Sequence, residues 1–261
     1  MTLVRHEWKR GRKGLAIWTA AIGFLVVVCV WLFPEMKGEM DGVSDLFASM
    51  GSFAQAFGMD RLNFGTLTGF YAVECGNILG LGGAFFASLI ASAALAKEEK
   101  ERTAEFLLSH PVSRTRILTE KLAAVLLQII VLNVIIFGMS VASIAMIGEP
   151  IPWKEIGLLH LAYFLLQMEL AGICFGVSAF LRRGSAGIGL GLAAMMYFLN
   201  IIANLAASVE FLKYLTPFGY AEGADIITNG CLDTTMLLLG MIYAAVGIAV
   251  AYWKYRTKEI H

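Results

Sequence analysis

Residues 96–117 read AKEEKERTAEFLLSHPVSRTRI, with ten ionisable side chains between Lys97 and Arg116, His110 included. GAFFASLIASAALA (83–96) leads into this run and LAAVLLQIIVLNVIIFGMSVASIAMIG (122–148) follows it, both nearly pure hydrocarbon. Segments so different cannot share one solvent, so the chain leaves an apolar phase, passes through water and returns. Glu98 and Arg102 stand at the favourable i,i+4 helical spacing. Ala104, Leu107 and Leu108 recur on the opposite face. Pro111 ends the helix, because it lacks a backbone donor and forces His110 toward extended geometry. Ser113 or Thr115 then caps the next helix. The pattern predicts a short amphipathic helix joined rigidly to two apolar ones. Such an element can pass movement to them, or serve only as a connector whose charges fix topology.

Composition sets the phase. Hydrophobic residues make up 58% of the 261 and charged residues 15%, with a mean hydropathy of +0.72. Soluble domains carry about a quarter charged residues, so these values select a membrane protein. Spans need about 20 apolar residues. Six stretches qualify: 15–33, 67–95, 118–147, 156–181, 185–207 and 236–253, with Asn200 and Asn204 interrupting the fifth. The first, LAIWTAAIGFLVVVCVWLF, is longer than a signal-peptide core and is expected to stay in the membrane.

Of the twenty Lys and Arg residues, sixteen fall in 5–13, 97–121, 182–183 and 254–258. Basic residues favour the cytoplasmic side, so both termini and the 96–117 segment are expected there. Residues 34–66 and 208–235 become extracytoplasmic loops. VSDLFASMGSFAQAFGM (43–59) reads as a surface helix, and Pro217 with Gly219 divides the second loop into two short pieces. Residues 1–14 read as an interfacial helix, with ordinary positive flanking charge as the alternative. Net charge is zero, and nothing points to nucleic acid. Cys29, Cys75, Cys174 and Cys231 lack metal or redox spacing and read as small apolar residues.

The run Glu99, Thr103, Ala104, Glu105, Phe106, Leu107, Leu108, Pro111, Val112, Ser113, Arg114, Ile117, Lys121 resembles the signature of ABC-2-type transporter permeases. AFGMDRLNFGTLTGFYA (56–72) and YLTPFGYAEGADIITNG (214–230) extend the resemblance over nearly the whole chain. Arg102 departs from it, since many members carry glycine there. The resemblance implies an all-α membrane domain with six spans and both termini cytoplasmic. It also implies a coupling helix between the second and third spans that docks on a separate ATPase subunit. Carried over, the docking residues are Glu99, Glu101, Arg102, Thr103, Glu105, Phe106, Leu107 and Leu108, with Pro111, Ser113 and Arg114 at the bend. A second permease subunit, identical or homologous, is implied as well.

No G-x-x-x-x-G-K-[ST] phosphate loop, H-E-x-x-H or G-x-S-x-G occurs in the sequence, so no enzyme chemistry is visible and this chain is expected to hold no cofactor. ATP and Mg are expected on the partner ATPase. Glu74, Asn77 and Glu169 are candidates for a substrate pathway, since a carboxylate costs about 2.5–3.5 kcal/mol at mid-membrane. The alternative is interhelical hydrogen bonding of the two acids with Asn77, Asn133 or Gln167. Small-residue pairs at Gly76/Gly80, Gly172/Gly176 and Gly187/Gly191 permit close helix approach, within one subunit or between two. The expected function is export of an antimicrobial peptide, another hydrophobic compound or a lipid-like molecule from the plasma or inner membrane. The alternatives are an ATP-independent transporter or channel using Glu74 and Glu169, and a membrane anchor for a regulatory ATPase.

Overall fold

The computed structural model describes residues 2–37, 50–97, 112–181 and 186–257. Eight α-helices are present among them: α1 (Thr2–Lys37), α2 (Ser52–Ala56), α3 (Leu67–Ala93), α4 (Arg114–Met146), α5 (Trp153–Ser178), α6 (Ala186–Leu205), α7 (Gly223–Asn229) and α8 (Thr234–Thr257). Six of these, all but the short α2 and α7, are long and apolar enough to cross a membrane. The chain is therefore an all-α, multi-pass membrane protein.

Local chemistry sets the helix starts. Thr66 caps α3 by accepting from the Gly69 amide at 3.2 Å, and Ser113 caps α4 by accepting from the Arg116 amide at 3.2 Å. A π turn over Tyr71–Cys75 interrupts α3, and such turns re-aim the side chains that follow. Residues 2–37 form one continuous helix instead of a surface helix over 1–14 and a separate span over 15–33. Gly11 and Gly14 each weaken a helix by about 1 kcal/mol, too little to break it. Between α6 and α8 stand the two expected short pieces, a 3-10 helix at Ala207–Leu215 and α7. The surface helix read over 43–59 is described from residue 50 onward, as α2 and a 3-10 turn at Met59–Arg61.

Lipid offers no hydrophobic drive between helices, so close packing and small residues hold them together. The central helix, α5, packs mainly on α3 and α8, while α1 lies along α4 and α6 along α3. A side chain at Gly172 would meet Ala244 at 2.8 Å, and one at Gly176 would meet the Gly247 carbonyl at 2.6 Å. These glycines serve packing inside the subunit. Gly76 and Gly80 lie against Tyr163, whereas Gly191 faces open space. Cys75 and Cys174 are buried, Cys29 is half-buried and Cys231 is exposed, all as free thiols. Gly176→Val is expected to cost about 1–3 kcal/mol by overpacking, and Gly191→Ala less than about 0.5 kcal/mol. Thermal unfolding in a single detergent checks this; equal losses would show that the α5–α8 contact is not tight.

Candidate functional site

Each helix leaves four amides or four carbonyls unsatisfied at each end. At one end of this bundle those groups converge on the first two turns of α4. The Arg114 guanidinium donates to the Tyr255 and Arg256 carbonyls at 3.1 and 3.3 Å, in the last turn of α8. A cation there also complements the helix dipole. Glu120 accepts from the Leu3 and Val4 amides at 3.0 and 3.3 Å, in the first turn of α1, and from Arg116 at 2.9 Å. Lys121 is 1% exposed and donates to the Ala94 carbonyl at 2.8 Å, just past α3. Its second partner is Glu7 of α1 at 3.3 Å. The Thr119 and Tyr252 hydroxyls add a 2.7 Å contact between α4 and α8. Four helix ends are thus tied at one place, and both termini of the helical bundle lie there.

Of the docking residues read from the sequence, Glu99, Glu101, Arg102, Thr103, Glu105, Phe106, Leu107, Leu108 and Pro111 lie outside the described residues. The chain enters that segment after Lys97, three residues past Ala94, and leaves it at Val112, next to Ser113. Lys121 holds the entry side, and Ser113 with Arg114 holds the exit. Glu7, Glu120, Tyr252 and Tyr255 were not singled out by sequence reasoning. A Glu-Lys pair opening an apolar run was the available signal.

The candidate pathway residues separate. Asn77 lines a cavity of about 50 Å³ at the opposite end of the bundle, with Tyr163, Tyr197, Asn200, Asn204 and Glu222. Glu222 is 8% exposed and ion-paired to Arg61, which also holds Asp225. Burial, then the Asp225 charge, pushes the Glu222 carboxyl up; Asn204, Arg61 and Lys213 oppose the shift. Glu74 is half-buried beside Cys29 of α1 and does not line this cavity. Glu169 is 3% exposed, packed against Gly240 of α8 and close to the Tyr220 hydroxyl. Asn133 and Gln167 bond one another at 2.7 Å and Asn77 bonds Tyr197 at 3.1 Å, so none of the three partners Glu74 or Glu169. A further buried cluster joins Tyr71 to Ser140 and to His160, each at 2.8 Å, tying α3, α4 and α5. Among the described residues no group of His, Cys, Asp and Glu is arranged to hold a metal.

The family model for "ABC-2 family transporter protein" matches residues 1–260. The chain is also similar to "Uncharacterized protein YhcI" of Bacillus subtilis, with 25% identity over 226 residues that cover 77% of this chain and 67% of that one. Lys121→Met is expected to cost about 3 kcal/mol, because Glu7 and the Ala94 carbonyl lose a buried cation. Arg116 is 58% exposed on its side chain, and Arg116→Ala is expected to cost under about 1 kcal/mol. Thermal unfolding of both variants measures the difference; the reverse order would contradict the role given to Lys121.

Proposed function

Because the chain belongs to the ABC-2 family transporter proteins, and so is a transmembrane component of a transporter, we propose that it is the permease subunit of an ATP-driven exporter. ATP and Mg are bound and turned over by a separate ATPase subunit, which docks on the segment 99–114. The observation that carries this reading is the four-helix tie at α4. The segment emerges between Lys121 and Arg114, whose partners are the ends of α1, α3 and α8. A load applied there reaches several spans together, which a slack connector would not allow.

In this reading both termini and the tie face the cytoplasm, consistent with the basic residues gathered at that end. The chain resides in the plasma or inner membrane, surrounded by lipid. A second permease subunit, identical or homologous, completes the translocation unit; Gly191 on α6 is unoccupied and available to it. The exported molecule is a peptide antibiotic, another hydrophobic compound or a lipid-like molecule. The ATP-independent reading draws on Glu74 and Glu169. They sit on separate helix interfaces, beside Cys29 of α1 and against Gly240 of α8, which gives it no support.

The test is copurification from mild detergent with the chain carrying Phe106→Ala, Leu107→Ala and Leu108→Ala beside the unaltered chain. An ATPase bearing a phosphate-loop motif, identified by mass spectrometry, is expected with the unaltered chain and lost from a variant that elutes at the same volume. Recovery of no such ATPase with the unaltered chain would overturn the assignment.

A further inference from the structure

We propose that the cavity between α3, α6 and the chain around α7 is a binding site for a primary ammonium group. Three asparagines carry the argument. Asn77 commits its amide nitrogen to the Val73 carbonyl at 2.8 Å. Asn204 commits its own to the Ala56 carbonyl at 3.2 Å and the Glu222 carboxylate at 2.8 Å. Flipping either amide would set oxygen against oxygen, so the hydrogen-bond network fixes both orientations. What Asn77 and Asn204 have left is an acceptor, and Asn200, whose amide no hydrogen bond among the described residues fixes, can present its oxygen as a third. Asn77 takes one hydrogen bond on its oxygen, from Tyr197, and retains a second lone pair. The amide oxygens of Asn200 and Asn204 are buried and take none from the described residues. Asn200 as a whole is 7% exposed, and both residues line the cavity.

Buried acceptors without donors are uncommon and call for an explanation. Here two such acceptors, and the half-used oxygen of Asn77, belong to residues that line one small cavity with the Glu222 carboxylate, and no Lys or Arg lines it among the described residues. A protonated amine presents three N–H groups and a positive charge, matching both needs. The local charge agrees. Asp60, Glu222 and Asp225 face Arg61 and Lys213, three acids to two bases, and Lys213 is shared with Glu210 at 3.9 Å. The rings of Tyr163 and Tyr197 also border the cavity, and aromatic walls tolerate a cation. A cavity of about 50 Å³ has room for a small polar headgroup, since about 10–15 Å³ suffices for one water. The ligand therefore enters amine first, from an aminophospholipid or from a free amine in water.

The test uses the full chain without ATPase or nucleotide, so it stands or falls separately from the transport assignment. Thermal unfolding is followed in phosphatidylcholine nanodiscs during titration with ethanolamine, with choline at equal ionic strength as the control lacking N–H donors. It is repeated in nanodiscs containing phosphatidylethanolamine. A saturable rise with ethanolamine identifies a free amine; a rise only with phosphatidylethanolamine identifies the lipid headgroup. Either rise is expected to weaken at least about tenfold with Asn200→Leu, which removes an acceptor to a charged donor. Asn200→Asp is expected to strengthen it, and decides the matter if Asn200→Leu does not fold. The proposal is overturned by no rise from either source, an equal rise with choline or phosphatidylcholine, an unchanged response in Asn200→Leu, or an unstrengthened one in Asn200→Asp.

Discussion

A helix end beside hydrocarbon has backbone amides or carbonyls that water cannot reach, and the bundle depends on how these are satisfied. The beginning of α4 supplies most of the answer at one end. Within eight residues, Arg114, Glu120 and Lys121 take up groups from α8, α1 and the chain just past α3. The bonds are charge-assisted, and charge-assisted bonds are stronger and more directional than neutral ones. Continuous packing of α1 along α4 and of α5 between α3 and α8 then sets the rest.

The opposite end is built differently. There the polar groups belong to side chains on short, bent elements, and they surround a cavity in place of closing it. Arg61 bridges the turn after α2 to Glu222 and Asp225. Asn204 ties the end of α6 to the Ala56 carbonyl and Glu222. One end of the molecule is thus fastened helix to helix, while the other leaves acceptors uncommitted.

The six spans were legible because about 20 apolar residues in a row have few other uses. The Ser113 cap and the bend near Pro217 were legible because their chemistry is local. The tie at α4 was not. Glu120 meets Leu3 across 117 residues and Arg114 meets Tyr255 across 141, and no periodicity records such pairings. Asn200 and Asn204 read as blemishes in a span, since the sequence does not reveal that α6 places them beside Asn77 and Glu222. Glu169 read either as a pathway acid or as an interhelical partner, and the sequence does not reveal that Gly240 packs directly against its carboxyl. The continuity of α1 escaped because charge suggested a surface helix where backbone propensity allowed no break.

The central claim is that polar ties at α4 hold the ends of α1 and α8 in fixed relation. Its most direct measurement is the spin–spin distance distribution between labels at His6 on α1 and Trp253 on α8, both exposed, in a chain with Cys29 and Cys231 replaced by Ser. The account predicts one narrow distance that broadens when Arg114→Ala and Glu120→Ala are combined. An equally narrow distribution in that variant would show that apolar packing alone sets the arrangement, and would contradict the account.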